Sequence, residues 1–508
     1  MKKLIIYFSL LISCLLSNAC IDDPGNYDYV NTNNILPVEI EGLCSDTSIL
    51  KGETLRLSPI IINNDSSRYT YSWYIMDYNA QGFLPRQWDL STKKNLEWTV
   101  NLDPATYRLN FRVYDKQQDL FVRHEIIINI TAAPMTSGWY ILKDNGQNTD
   151  LDYISLSNER YDNVLTMYGE NIPGTAVLMA YQNGRYYHNI TYDDGSVTTK
   201  SNLSVYHILT SNDIRTYDAK DYTLYKTFKD EFYTAPETCR PQNVLFGSSA
   251  CTFLINNGKI HIINGMYGNI GKFGAPFPGT YDLANDLIMY GSGNFMVFDN
   301  NTHSFYQASQ TGSNLLPIEE AATTTDTLSL QNMDYELQCS SSMERSYTST
   351  IILKSIKGNH RLLLQETSVY DPENYSYIVQ WLGITPIQSE SKLASTRLIA
   401  QAKATSFFYF VLDDKIYSYI NSTETSLEQR ERERLSFPGE TITYMTYISG
   451  LKQADGTVTE ALAVLTSQGG NWKLRVYALL GESTPDLNTT PILEYEGTGN
   501  GRFLLYRP

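Results

Sequence analysis

Cysteine is the residue type in this chain best placed for covalent chemistry. Cys20 follows Ala19, and before it stand Lys2, Lys3 and the apolar stretch Leu4 to Leu16. A short positive start and an apolar run of about thirteen residues are too brief to span a bilayer, which takes roughly twenty, and they read as a secretory leader. A small residue immediately before cysteine is what a lipoprotein signal peptidase needs. The sulfur then takes a diacylglycerol, and two or more acyl chains anchor far more durably than one. Cys14 has Leu11 three residues upstream, the better match to the usual motif. Cleavage there, however, would cut the apolar run and leave Leu15 and Leu16 at the mature terminus. The reading is therefore a leader over 1–19, lipidation at Cys20, and a polar tether over 20–35.

The remaining chemistry is sparse. Of Cys44, Cys239, Cys251 and Cys339, the closest pair in sequence is Cys239 and Cys251. An oxidising compartment permits a bridge between those two, although pairing is not a property of spacing. The histidines at 124, 188, 207, 261, 303 and 360 lie far apart, with no metal-ligand spacing; His207 and His261 fall inside strand-like stretches and read as structural. Asp144 to Asp152 (DNGQNTDLD) carries several oxygen ligands but lacks the closing glutamate and spacing of an EF-hand, so it reads as a polar turn. No His-Glu-x-x-His pair, Gly-x-Ser-x-Gly elbow or phosphate loop is present. Paired carboxylates for glycoside hydrolysis could come from two distant segments, but no spacing favours them. No cofactor and no metal are expected, and the enzyme reading rests on no motif.

Charge and composition narrow the partners. The formal charge is −16, and −18 once Lys2 and Lys3 leave with the leader. That balance argues against nucleic acid and against anionic lipid surfaces, so the membrane is met through the lipid anchor alone. Tyrosine is abundant, at 39 residues, which suits half-buried strands and also binding faces for sugars and peptides.

The elements that must position any site are strands. From about 36 to 131, strand signals fall at Val38–Leu43, Thr54–Ile61, Tyr69–Met76, Asn95–Val100, Thr106–Tyr114 and Leu120–Ile130. Tyr107 to Val113 alternates apolar and polar side chains, and the polar stretch from Tyr114 to Asp119 joins two long strands as a hairpin. Such spacing fits an antiparallel sandwich. A turn-rich break over Thr131–Gly138 ends that block. From 138 to 508, seven strand pairs recur at intervals of roughly 40–65 residues, in the spacing of propeller blades. They are Gly138–Lys143 with Leu151–Leu156, Leu203–Leu209 with Asp213–Tyr217, and Thr252–Ile255 with Lys259–Ile263. Next come Leu287–Tyr290 with Asn294–Phe298, Thr348–Lys354 with Arg361–Gln365, Ser406–Leu412 with Lys415–Ile420, and Ala461–Leu465 with Lys473–Leu479. A lone last strand, Gly501–Arg507, is expected to close the ring on the first blade. Seven blades is the count, with six or eight as neighbours and tandem sandwiches as the alternative architecture.

Gly52-Glu53-Thr54-Leu55, Tyr71-Ser72-Trp73-Tyr74 and Ala105 to Asp115 (ATYRLNFRVYD) together resemble a PKD-type immunoglobulin-like domain, with Trp73 as core. Ala105 stands where that pattern usually has glycine, and the aspartate-glycine loop after the tryptophan strand is missing. Cys20 to Tyr29 (CIDDPGNYDY) and Ser137 to Leu142 (SGWYIL) are similar to recurrent stretches of the PKD-like lipoproteins of Bacteroidetes. Asp22 and Asp23, just after the lipidated cysteine, resemble the surface-export signal of such proteins. The resemblance implies an all-β chain, a PKD-like Ig-fold sandwich over 36–131 followed by a β-propeller over 138–508. It further implies an outer-membrane location facing the exterior and a non-catalytic role beside a SusC/SusD-type TonB-dependent importer, with its barrel and lid lipoprotein as partners. The ligand would be an oligopeptide or a glycan. Candidate contacts on Tyr-, Asn- and Phe-bearing loops are Asn243, Tyr267, Asn269, Phe273, Phe277, Tyr370 and Tyr375. Two other readings remain open: an adhesive or structural protein that docks a protein partner, and a propeller hydrolase or lyase acting on surface polymers.

Overall fold

The computed structural model describes residues 38–508, apart from 63–66, 80–84, 118, 133–134, 192–194, 247–250, 265–270, 291–293, 309–313, 319–327, 344–347, 374–375, 423–424, 453–455 and 482. The expected leader, Cys20 and the whole of the expected tether lie outside the described residues, as do Tyr267, Asn269 and Tyr375. The chain divides into two compact units, one built from residues up to Ile130 and one that takes Thr131–Pro508 with two short segments, Leu50–Gly52 and Asn101–Pro104.

The first unit is an Ig-like sandwich. Its five-stranded antiparallel sheet runs in the order Asp46–Leu50, Leu120–Thr131, Ala105–Asp115, Tyr69–Asp77, Gln87–Ser91. Two smaller pairs, Glu39–Glu41 with Ile60–Ile62 and Thr54–Leu57 with Leu96–Thr99, complete it. Alternation sends Trp73 and Ile75 inward together with Leu109, Phe111 and Val113, all fully buried. Trp73 lies 4.5 Å from the Phe111 ring and donates its Nε1 proton to the Lys94 carbonyl at 3.0 Å, so it is core rather than a ligand platform. The expected Thr54–Ile61 strand is broken in two, because Pro59 has no amide hydrogen to offer a ladder.

The second unit is a ring of antiparallel sheets, seven among the described residues. Sheet 1 holds Gly138–Asp144, Asn148–Ser155 and Arg160–Tyr161, and sheet 2 holds Ala176–Thr191, Val197–Thr210, Ile214–Asp218 and Leu224–Lys226. Sheet 3 runs Pro241–Phe246, Cys251–Asn256, Lys259–Asn264, and sheet 4 runs Ile288–Tyr290, Asn294–Asp299, Ser304–Ala308, Leu315–Pro317. Sheet 5 is Tyr335–Met343, Thr348–Ser355, Arg361–Asp371, Ser376–Ile387; sheet 6 is Ile399–Gln401, Phe407–Leu412, Lys415–Ile420, Glu431–Ser436. Sheet 7 is Thr441–Lys452, Val458–Gln468, Asn471–Ala478, Leu493–Thr498. The last strand, Asn500–Arg507, pairs antiparallel with Gly138–Asp144 and so takes the first position of sheet 1, with Trp139 opposite Tyr506 and Ile141 opposite Leu504.

Two-residue periodicity makes the ring. In Phe407–Leu412, Phe407 and Tyr409 pack with Leu462 and Val464 of sheet 7, while Phe408 and Phe410 pack with Ile352 and Leu363 of sheet 5. The same division recurs at every junction, through to Trp139, Ile141 and Leu504 of sheet 1 against Ala463, Leu465 and Trp472 of sheet 7. A strand buried on both faces needs apolar residues at every position, which is why the middle strands read as continuous runs such as FFYFVL. Turn chemistry sets the register where it is tight: Asn257 and Gly258, at φ 49° and 70°, make the two-residue hairpin of sheet 3.

Candidate functional site

Seven first-position strands surround the axis of the ring, and their side chains enclose a cavity of about 680 Å³. Sheet 2 contributes Met179, Ala180 and Tyr181, sheet 3 Asn243, Leu245 and Phe246, and sheet 4 Asn285, Asp286 and Leu287. Sheet 5 supplies the run Gln338–Ser342, sheet 6 Arg397–Gln401, sheet 7 Tyr444–Tyr447, and the closing strand Phe503 and Leu505. The volume falls in the range of small-molecule sites, and its mix of aromatic rings with a few polar groups is typical of them.

Most polar groups of this wall are committed within the protein. Asn243 donates its Nδ2 proton to the Asn285 carbonyl at 2.8 Å, and Gln242 donates to Asn285 Oδ1 at 2.6 Å. Gln338 Nε2 donates to the Thr396 carbonyl at 2.6 Å, and its Oε1 accepts from Arg361 Nε at 3.1 Å. Gln401 donates to the Ala402 carbonyl and accepts from Thr350, while Ser341 Oγ accepts from the Gln401 amide at 3.1 Å. The charged lining residues among those described are Asp286 and Arg397. Arg397 is exposed and lines the cavity, without an ion pair among the described residues. Asp286 is recessed: burial pushes its carboxyl up to about 6, opposed by a hydrogen bond from Ser340, and it in turn helps push the neighbouring Cys339 thiol up to about 12.

Three other places hold unusual polar groups, and each differs from the cavity. Between sheets 2 and 3, Glu231, Thr216, His207, Gln182 and Thr252 form a fully buried hydrogen-bonded chain, with Thr216 Oγ1 2.7 Å from His207 Nδ1. Burial drives His207 down to about 3 and Glu231 up to about 7. In sheet 5, Glu366 is fully buried and burial raises it to about 8, opposed by the Ser349 hydroxyl. A recess of about 360 Å³ beside sheet 7 is lined by Glu440 and Lys473, but Glu440 already holds Arg475 at 2.8 and 2.9 Å. None of these offers an unengaged charge to an open space. The polar turn over 144–152 is likewise satisfied internally: Asp144 accepts from the Gly146 amide and Arg502, and Asp152 from Lys143, the Asn163 amide and Trp472. No group of metal-ligating side chains occurs among the described residues.

The residues expected at a binding face scatter. Asn243 does line the cavity, with its amide nitrogen already engaged. Phe273 is a correction: it is fully buried, 5.5 Å from Phe232, and its amide donates to the Glu231 carbonyl at 2.7 Å. Phe277 is another, buried among sheets 3 and 4 with its amide bonded to the Ile260 carbonyl. Their Gly- and Pro-rich loop folds back as a lid on the hydrophobic junctions instead of projecting. Tyr370 is exposed on the outer hairpin of sheet 5, edge-on to Tyr377 at 5.4 Å and outside the cavity lining. The expected bridge between Cys239 and Cys251 is also corrected, since both are thiols. Cys239 lies beyond the Pro241–Asn256 end of the first hairpin of sheet 3 and Cys251 beyond the Phe246–Thr252 end. Five residues of strand at about 3.3 Å each far exceed the Cα separation a disulfide tolerates. Cys239 Sγ instead donates to the Asn212 carbonyl at 3.0 Å. Sequence reasoning missed Asp286, Arg397, Tyr181 and Tyr444. The available signal was a short, mixed-polarity segment just ahead of each apolar strand pair.

Residues 20–176 match the PKD-like family, a span that runs from the expected lipidation site through the sandwich and across sheet 1. No curated protein matches the chain. Among solved structures, the chain is similar to a quinonprotein alcohol dehydrogenase-like protein from Bacteroides thetaiotaomicron, with 12% identity over 91% of this chain and 96% of that one and a TM-score of 0.44. It is also similar to the extracellular domain of a hybrid two-component system protein from the same organism, with 8% identity over 88% of this chain and 66% of that one, at a TM-score of 0.32. A third, a protein of unknown function from Bacteroides caccae, shares 10% identity over 62% of this chain and 99% of that one, at 0.24. The fold assignment rests on the register of the sheets themselves.

Proposed function

We propose that this chain is a lipid-anchored protein of the outer cell surface that captures an oligopeptide or glycan at the axial cavity and serves a SusC/SusD-type importer without catalysing a reaction. The observation that carries the reading is the cavity: a space of ligand size, edged by Tyr181, Phe246 and Tyr444, to which every sheet of the ring contributes. A rigid ring of sheets presents such a site without reorganisation, and preorganisation favours capture. A hydrolytic alternative would want two carboxylates facing one another across the space, and Asp286 is the one carboxylate among the described lining residues. The polar stretch ahead of the sandwich supports attachment through a tether.

The test is a detergent pull-down of the tagged, lipidated protein from its native outer membrane, together with protease shaving of intact cells. Co-purification of a TonB-dependent barrel with its lid lipoprotein, and release by shaving, are the expected results. A protein that emerges alone and is fully protected from protease overturns both the partner and the surface assignment.

A further inference from the structure

The axial cavity places one acidic and one basic side chain on the same wall. Asp286 stands just ahead of the first strand of sheet 4, and Arg397 just ahead of the first strand of sheet 6. The first strand of sheet 5 runs between them and touches both sides, with Ser340 bonded to Asp286 and Gln338 bonded to the Thr396 carbonyl. The two charges therefore lie on one stretch of wall, a strand of sheet 5 apart, and form no salt bridge with each other.

The neutral part of the wall sharpens the point. A site that reads sugars needs amide and hydroxyl groups free to bond ring hydroxyls. Here Asn243, Gln338, Ser341 and Gln401 all carry bonds to protein partners. Of the two charges on the wall, Asp286 is met by the Ser340 hydroxyl and Arg397 by no ion pair among the described residues. A neutral ligand that fills the space strips water from both and returns no countercharge, which is costly for a recessed group such as Asp286. A ligand with a cation at one end and an anion at the other satisfies both at once, through charge-assisted hydrogen bonds and, at Arg397, a two-pronged one. The aromatic and aliphatic side chains between, Phe246, Tyr444, Met445 and Leu505, then meet uncharged side chains of the ligand.

We propose that the cavity is selective for zwitterionic ligands, namely short peptides with free ends, with the terminal ammonium held at Asp286 and the terminal carboxylate at Arg397. The inference rests on the capture reading above and chooses the peptide over the glycan. The strands that carry the two residues are fixed in the ring, so selectivity follows from the placement of charge.

Native mass spectrometry on the chain from Ile21 onward tests this. The probes are an equimolar random tetrapeptide mixture, the same mixture N-acetylated, the same mixture C-amidated, and a mixture of neutral oligosaccharides. The free peptides are expected to bind, and each capping to weaken binding by about tenfold or more. Asp286→Asn is expected to remove the penalty of acetylation alone, and Arg397→Gln the penalty of amidation alone. A merely structural role for either residue would weaken all probes equally. Thermal midpoints no lower than the parent's certify that both variants are folded. Oligosaccharide binding that neither variant disturbs, or peptide binding indifferent to both caps, overturns the assignment and leaves capture intact. Failure of all four mixtures removes the capture reading along with it.

Discussion

Two aspartates, Asp152 and Asp286, show how differently one ring treats its charges. Asp152 lies where sheet 7 meets sheet 1, fully buried, and it is held by Lys143 at 2.7 Å, by Trp472 Nε1 at 2.9 Å and by the Asn163 amide at 2.8 Å. Asp286 lies at the axis with a single hydroxyl beside it. Along the closing strand the charges are engaged as well: Arg502 grips Asp144 at 2.8 Å, and Arg507 stacks 3.7 Å above Tyr181 while donating to the Tyr206 hydroxyl. The seam that closes the ring has consumed its polar groups in holding itself together, and the axis has left some over. Charge at the seam is structural, and charge at the axis is available.

That contrast can be broken or sharpened by substitution. The largest effect is expected at the seam: Asp152→Ala leaves Lys143 buried without its partner and lowers stability by about 3–5 kcal/mol, measured by urea unfolding. Glu366 is the opposite extreme, a buried acid with little support. Its pKa is raised in the fold, so its favourable contribution is complete below the unfolded value and is lost as pH rises through about 8. Glu366→Gln should therefore match the parent at pH 4 and exceed it at pH 8.5 by on the order of a few kcal/mol, seen as a flatter dependence of thermal midpoint on pH. Tyr206→Phe removes the hydroxyl that donates to Tyr140 at 2.7 Å and accepts from Arg507, at a cost of about 1–2 kcal/mol in the same urea assay. At the axis, Asp286→Asn is expected to leave stability at pH 7.5 unchanged or raised by up to about 1 kcal/mol, because the ionised carboxylate is the form that burial disfavours. A loss comparable to that of Asp152→Ala would mean that the axis is as structural as the seam. Smallest of all, alkylation of the unreduced, unfolded chain should label both Cys239 and Cys251, and a cross-linked peptide pair would contradict the hairpin register.

The strands that were legible in the sequence were those buried on both faces. Val205–Leu209, Cys251–Ile255, Ile351–Leu353 and Phe407–Phe410 are apolar at nearly every position because each lies between two sheets. The closing strand was legible for the same reason, through Phe503, Leu504 and Leu505. Apart from Leu287–Tyr290 and that closing strand, first-position strands were not, since one side meets a sheet and the other meets the cavity, and segments such as Tyr335–Met343 show neither a run nor clean alternation. The site fell on those strands, so it stayed hidden while the scaffold was plain. Asp286 and Arg397 read as ordinary loop residues until the ring brings sheets 4, 5 and 6 side by side. Phe273 and Phe277 misled in the other direction. Aromatic side chains in a Gly- and Pro-rich loop suggest an exposed platform, but the backbone bonds to Glu231 and Ile260 turn that loop inward. In the sandwich, Asp46–Leu50 and Gln87–Ser91 escaped because they are half-exposed edge strands with polar sequences.

The closure of sheet 1 by Asn500–Arg507 also has a consequence in time. The sheet that is begun first is finished last, after more than three hundred residues of intervening chain have been delivered. Until then Gly138–Asp144 is an open edge, and the junctions it shares with Trp472 and Leu504 do not exist. A chain delivered from its N-terminal end is thus kept from locking into its final form before its closing strand arrives. Loop closure over that distance is slow, so the pairing of the first and last strands sets the moment at which the separate sheets become one ring.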